Sequence, residues 1–318
     1  MSTGALESLV EGVRAGRARA LARAVSLVER DDPEADRLLA EIHPQTGRAR
    51  IVGVTGSPGS GKSTLVDALA RHYRKEGKKV GIIAVDPTSP FSGGAILGDR
   101  IRMQDLYTDR GVFIRSMATR GFLGGVARAT NDVVDLLDAA GFDLVLVETV
   151  GVGQGEVEII RTVRTNVVVL VPGMGDDIQA IKAGIMEIGD VFVVNKADRS
   201  DADRTVTEIT MMMSLVEEHG DWVSPIVKTV ASKDQGIVEL AAALDTHHRF
   251  LVSSGELTRR DRERVRIRVE IQLHERFMER LIGGKVSREQ YEALLESVHR
   301  KERNPRAAAE ELLERYGR

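Results

Sequence analysis

The string "GSPGSGKS", Gly56 to Ser63, fits G-x-x-x-x-G-K-[ST] and constrains the fold more than any other stretch of the chain. The apolar run "RIVGVT" leads into it and the amphipathic "STLVDALARHY" leads out, which is the strand–loop–helix context such a pattern requires. Its glycines let the backbone curl until several N–H groups face phosphate oxygens, at a helix N-terminus that carries partial positive charge. The pattern predicts a nucleoside triphosphate cradle made of Ser57, Pro58, Gly59, Ser60, Gly61, Lys62, Ser63 and Thr64. In that cradle Lys62 reaches the β- and γ-phosphates, and Ser63 ligates Mg²⁺.

A loop of this kind sits at the C-terminal edge of a parallel sheet, and the rest of the chain supplies one. Seven short β-branched runs, "IVGVT", "KVGIIAVD", "GVFIRS", "DLVLVET", "NVVVLVPG", "DVFVVNKAD" and "PIVKTVAS", alternate with helical segments. Runs that are apolar on both faces describe strands covered on both sides, hence an α/β core over residues 48–253. Before it, residues 1–47 form a helical extension: "DDPEAD" divides 5–43 into two helices, with Pro33 at a helix start, and "HPQTGRAR" is a linker. After it, residues 254–318 form a helical arm. Its main helix carries two apolar stripes, Ile267, Ile271, Met278 and Leu281 on one side, Val265, Val269, Leu273 and Phe277 on the other. Such a helix packs on two sides, within its own chain or against a second subunit. Two more helices, near 287–302 and 305–316, complete the arm.

"NKAD", Asn195 to Asp198, ends an apolar run and has the form of a guanine-reading motif. The Asp198 carboxylate can accept from the guanine N1–H and 2-amino groups, donors that adenine does not present in that arrangement. Asn195 supports the loop, and the stem of Lys196 can cover the base. GTP is favoured over ATP. The supporting loop from the next strand is "TVASKD", with Ala231, Ser232 and Lys233 as the imperfectly matching contacts.

Asp86 and Glu148 stand at the ends of apolar strands, where α/β sheets place ligand chemistry. Such acids hold a metal directly or through its waters, and orient an attacking water. Asp99, beyond the Gly93-Gly94 pair, is either a third carboxylate of this kind or a helix cap. Gly151, Gly153 and Gly155 permit backbone rearrangement when a γ-phosphate is lost, and Gln154 either orients water or starts a helix. No arginine finger is evident: Arg115, Arg120 and Arg128 read as surface residues. The segment 171–184, "VPGMGDDIQAIKAG", reads as a plain strand-to-helix turn or as a further nucleotide-responsive loop.

Composition excludes several chemistries. The chain has no cysteine, so disulfides, thiolate zinc sites and cysteine nucleophiles are ruled out. Its seven histidines are scattered apart from His247-His248, which reads as a surface pair, so a nickel-insertion GTPase with Cys/His ligands is disfavoured. A net charge of −3 gives no electrostatic case for nucleic acid. A kinase needs a base for its acceptor, and no such site stands out; "NKAD" argues against a partitioning ATPase. No run reaches the roughly 18–20 apolar residues that span a bilayer, and no signal-peptide core opens the chain, so a cytoplasmic protein is expected.

The strings "GSPGSGKST", "AVDPTSPFSGGAILGDRIRM", "RGFLGG", "FDLVLVETVGVGQGE", "GMGDDIQAIKAGIMEI" and "VNKAD" together resemble the MeaB/ArgK/MMAA family of GTPase chaperones. The resemblance implies a G domain of the signal-recognition-particle/MinD type, with an N-terminal helical extension and a C-terminal dimerisation arm. It implies a first switch around Asp86 and Asp99, with both as catalytic and metal residues beside Lys62, and a second switch at "ETVGVGQ", with Gly153 and Gln154. A third switch follows, in which Asp176, Gln179 and Lys182 signal to a partner. That partner is an adenosylcobalamin-dependent acyl-CoA mutase, by default methylmalonyl-CoA mutase, with isobutyryl-CoA and 2-hydroxyisobutyryl-CoA mutases as alternatives. An adenosyltransferase would supply the cofactor. The family implies GTP and GDP with Mg²⁺, hydrolysis that is slow until the partner accelerates it, and a homodimer. Adenosylcobalamin would stay with the mutase, since the chain has no D-x-H-x-x-G string.

Overall fold

A computed structural model describes residues 3–86, 104–118, 125–149, 163–173, 188–214 and 221–316. The seven apolar runs form seven strands: β1 (Arg50–Gly56), β2 (Val80–Asp86), β3 (Val112–Ala118), β4 (Leu144–Thr149), β5 (Thr165–Leu170), β6 (Val191–Asn195) and β7 (Ile226–Thr229). They make one sheet in the order β3-β2-β4-β1-β5-β6-β7, with every pairing parallel. β1 is central, between β4 and β5, so the loop that follows it emerges where neighbouring connections diverge to opposite sides, as ligand loops of open α/β sheets do.

Alternation along β5 shows why both faces are apolar. Val167 and Val169 join a cluster with Leu65 and Leu69 of α4 (Lys62–Lys75) and Leu240 and Leu244 of α8 (Ile237–Ser253). Val168 and Leu170 point the other way, to Phe192, Val194 and Ile209, the last on α7 (Ala202–Met213). A short α5 (Gln104–Tyr107) and a longer α6 (Gly125–Ala139) precede β3 and β4 respectively.

The N-terminal extension contains three helices rather than two: α1 (Thr3–Arg14), α2 (Ala18–Glu29) and α3 (Pro33–Ile42). The additional break is at Gly16, whose φ of +64° is left-handed. Gly16 N–H donates to Val13 and Arg17 N–H to Gly12, the pair of bonds by which a glycine stops a helix. Pro33 does begin α3, with Asp32 capping the N–H of Glu34 at 3.0 Å. Two arginines read as surface residues instead fasten this extension: Arg115 of β3 pairs with Glu29, and Arg128 of α6 pairs with Asp31 at 2.6 Å. The linker is also held, since the buried Asp138 of α6 accepts from the backbone N–H groups of Gly47, Arg48 and Ala49.

The chain divides into two compact units, Met1–Arg264 and Val265–Arg318. α9 (Glu256–Arg280) begins in the first, where Arg260 forks onto the Asp190 carboxylate at 2.8 and 2.9 Å. Arg164 similarly grips Asp261 at 2.8 and 2.9 Å. His247 is the correction here: it is fully buried, 3.3 Å from Asp190 and 3.0 Å from the Thr165 hydroxyl, while His248 is half-buried. The reason is helical spacing, because His247 falls on the stripe Leu240, Leu244, His247, Leu251 that faces the sheet. In the second unit a π-turn (Leu281–Lys285), α10 (Arg288–His299) and α11 (Pro305–Tyr316) follow. Leu281 is buried and Ile267, Ile271 and Met278 are half-buried, whereas Val265, Val269 and Leu273 are more than half exposed. Among the described residues no helix is long and apolar enough to cross a membrane.

Burial opposes ionisation of Asp190, but His247 beside it and the hydrogen bonds from Arg260 outweigh it and hold the carboxyl below its ordinary range. Because the folded value is depressed, the pairing contributes stability above about pH 4 and loses it as pH falls through the folded value. Arg260→Leu is expected to lower unfolding free energy by about 2–4 kcal/mol at pH 7, by stranding a buried carboxylate. Chemical denaturation at neutral and acid pH checks this: the deficit should shrink as Asp190 protonates, and equal stability at pH 7 would contradict it.

Candidate nucleotide site

The phosphate loop keeps its shape through backbone that side chains would prevent. Gly56, Gly59 and Gly61 have φ of +142°, +77° and +88°, and a Cβ on Gly56 would overlap the Val169 carbonyl of β5. A Cβ on Gly61 would lie 2.5 Å from the Asn195 amide nitrogen. Gly61 is also the N-cap of α4, so the helix begins at Lys62 with its first N–H groups turned into the loop. Lys62 is buried, and its ammonium donates to the carbonyls of Gly56 and Ser57 at 2.6 and 2.9 Å. The lysine side chain thus lies folded across the loop.

Ser63 donates to the Glu148 carboxylate at 2.6 Å, and Glu148 is buried at the end of β4. The next residue, Thr149, donates to Thr55 at 3.2 Å and ties β4 to β1 at this level. Asp86 closes β2, one residue past the level where Val85 pairs with Thr149. A hydroxyl and a buried carboxylate meeting beside a phosphate cradle form a hard-oxygen donor set. That fits Mg²⁺, which takes one or two carboxylates with the remainder from phosphate and water. Among the described residues no group of three or more His, Cys, Asp or Glu is placed to hold a metal by itself.

The "NKAD" string is joined to the phosphate loop through Asn195. Its amide nitrogen donates to the Ser60 carbonyl at 2.8 Å, while its oxygen accepts from the Thr229 hydroxyl at 3.0 Å and the Ala231 N–H at 3.1 Å. One buried side chain therefore links the phosphate loop, the end of β6 and the turn after β7. Lys196 has a left-handed φ of +55°, which turns its chain back so that Nζ donates to Gly59 at 2.7 Å. Ala231, Ser232 and Lys233 form a 3₁₀ turn, and Lys233 reaches Asp198 at 3.0 Å. That hydrogen bond holds the exposed Asp198 carboxyl below its ordinary range, so it stays an anionic acceptor at neutral pH.

The imperfect "VASKD" match thus folds onto the guanine loop through Ala231 and Lys233. Arg71 of α4 was not singled out from the sequence; it forks onto Asp234 at 2.8 and 2.9 Å and anchors that turn to the helix carrying the phosphate loop. Only the Asp67–Arg71 spacing hinted at a constrained arginine. Asp99, Gly153, Gln154, Asp176, Gln179 and Lys182 lie outside the described residues, as do Arg120, Gly151, Gly155 and Gly175.

Sheet, phosphate loop and guanine loop together define a P-loop GTPase. Comparisons make this more specific. The model of the family described as methylmalonyl Co-A mutase-associated GTPase MeaB matches residues 21–285. A Pyrococcus abyssi protein named provisionally as a GTPase is 50% identical over 315 residues, covering 97% of this chain and 96% of its own. The GTPase ArgK of Escherichia coli is 38% identical over 260 residues, covering 79% of this chain and 78% of ArgK. The mitochondrial methylmalonic aciduria type A homolog of Mus musculus is 34% identical over 270 residues, covering 79% of this chain and 65% of that protein. The crystal structure of an LAO/AO transport system kinase superposes with a TM-score of 0.75 at 28% identity, over 100% of this chain and 99% of that one. The chain belongs to the MeaB family, as the motifs indicated, and is a GTPase.

Asp198→Asn replaces one acceptor of the guanine edge with a donor. GDP affinity is expected to fall about tenfold or more while XDP affinity rises, since a mismatched polar edge leaves groups unpaired. Calorimetric titration of both nucleotides checks this; unchanged GDP affinity would remove Asp198 from the site.

Proposed function

We propose that this GTPase is a chaperone of an adenosylcobalamin-dependent acyl-CoA mutase, with methylmalonyl-CoA mutase as the partner. GTP binding and hydrolysis gate loading, protection and reactivation of the mutase's cofactor. The observation that carries the proposal is the family match over residues 21–285, whose description names the mutase. The name of the mouse relative, a methylmalonic aciduria type A homolog, supports it. Adenosylcobalamin stays on the mutase, and an adenosyltransferase supplies it. The place of action is the cytoplasm.

Hydrolysis transfers the γ-phosphoryl group to water: the bond to the β–γ bridging oxygen breaks, and GDP and phosphate leave. The chain's contribution is position and charge. Lys62 exchanges its two carbonyl partners for β- and γ-phosphate oxygens, and the loop N–H groups bind the others. Ser63, Glu148 and Asp86 would hold Mg²⁺, with Asp99 assisting; when bound, the ion neutralises charge on the phosphate oxygens. Gln154 orients the attacking water. Gly153, Asp176, Gln179 and Lys182 carry the nucleotide state to the mutase.

The arm, residues 254–318, is proposed to dimerise the protein. The exposed stripe Val265, Val269, Leu273 and Phe277 supports this, since side chains of that kind gain by leaving water.

Steady-state GTP turnover, alone and with methylmalonyl-CoA mutase, tests the proposal. Slow intrinsic turnover should rise about tenfold or more with the mutase, as for GTPases completed in trans. Lys182→Ala should bind GTP normally and lose the stimulation. Turnover that ignores the mutase would overturn the chaperone assignment.

A further inference from the structure

The turn after β7 is held by contacts of three kinds. Ala231 lies buried in the cluster that contains Leu65 and Leu69 of α4, and its N–H is taken by Asn195. Lys233, exposed, reaches Asp198 beyond the end of β6. Asp234, also exposed, reaches instead to α4, where Arg71 receives it. Neighbouring side chains of opposite sign thus tie one surface turn to two different elements.

Backbone bonds close the turn on itself. Val230 N–H donates to Gln235 at 3.0 Å and Gln235 N–H to Val230 at 3.3 Å, while Gly236 has a φ of +76° where a Cβ would overlap the Lys228 carbonyl. At its corner Asp234 holds a left-handed φ of +55°, a conformation that Asp and Asn adopt more readily than most residues. Its carboxylate accepts from Nη1 and Nη2 of Arg71 at 2.8 and 2.9 Å, and a two-point fork fixes orientation as well as distance. Asp67, one helical turn before Arg71, accepts from Nε at 3.0 Å, so the guanidinium is gripped on both edges. The hydrogen bond from Arg71 holds the Asp234 carboxyl below its ordinary range, so both charges are present at neutral pH.

We infer that Arg71 is a positioning residue for the guanine end of the nucleotide: it clasps the turn of Ala231 and Lys233 to the helix that begins with Lys62 and Ser63, and acts through that turn rather than on the nucleotide itself. Arg71 stands eight residues beyond Ser63, about 12 Å along α4, so its loss releases the turn on one side and leaves the bonds of Lys62 and Ser63 in place. The inference rests on the reading that Asp198 and this turn hold guanine. It is independent of the mutase assignment.

Calorimetric titration of GDP and of inorganic tripolyphosphate, each as its magnesium complex, into the full chain separates the two ends of the site. Arg71→Ala is expected to weaken GDP about three- to fivefold, the scale of a well-oriented ion pair near the surface, and to leave tripolyphosphate affinity unchanged. Arg71→Lys should recover only part of the loss, since an ammonium cannot fork onto a carboxylate. Asp234→Asn keeps a side chain suited to the left-handed backbone and should weaken GDP to a similar extent. The double variant R71A/D234N should be no weaker than either single one, because the two residues act as a unit. Full GDP affinity in R71A would overturn the inference, as would equal losses of GDP and tripolyphosphate, or additive losses in the double variant. Asp198→Ala separates this failure from that of the underlying reading: unchanged GDP affinity there would overturn both, whereas a loss there with none in R71A would overturn the role of Arg71 alone.

Discussion

Asn195 is the constraint on which the nucleotide site depends. A phosphate loop and a base-reading loop arise from different strands, and neither fixes the other through backbone alone. The Asn195 side chain is buried and uses both ends of its amide, donating to Ser60 and accepting from Thr229 and Ala231. Lys196 and Arg71 make parallel ties, to Gly59 and to Asp234. The phosphate-loop string and the "NKAD" string therefore form one preorganised body, so a ligand that touches both would not spend binding energy on bringing them together. Gly61 follows from the same contact, since any side chain there would collide with the Asn195 amide.

The other ends of the same strands serve a different purpose. β6 runs only from Val191 to Asn195, and the residue before it, Asp190, receives Arg260 from the first turns of α9. One short, fully buried strand thus carries the guanine loop at one end and the anchor of α9 at the other. β5 repeats the arrangement, with Arg164 gripping Asp261 just before the strand begins.

Much of this was legible in the sequence because it is local. The phosphate loop is eight consecutive residues with a strand before and a helix after, and seven apolar runs became seven strands. Glu148 and Asp86 were visible as charges ending apolar runs, and the structure brings Glu148 to Ser63. What escaped depends on distant partners. Arg115 and Arg128 look like surface residues until α2 supplies Glu29 and the turn after it supplies Asp31. His247 looked like half of a surface pair, because adjacency was weighed above the stripe it shares with Leu244 and Leu251. The stop at Gly16 was legible in principle: a glycine after "EGVRA" is an ordinary helix terminator, but continuing apolar periodicity concealed it.

The most direct measurement of the central claim is nucleotide affinity in Asn195→Ala. Asn195 bonds to loops rather than to the base, so the account predicts that GDP affinity falls about tenfold or more, from loss of a buried bridge, while the preference for GDP over XDP is retained. Unchanged GDP affinity would mean that the two loops hold their positions without the bridge, and would contradict the account.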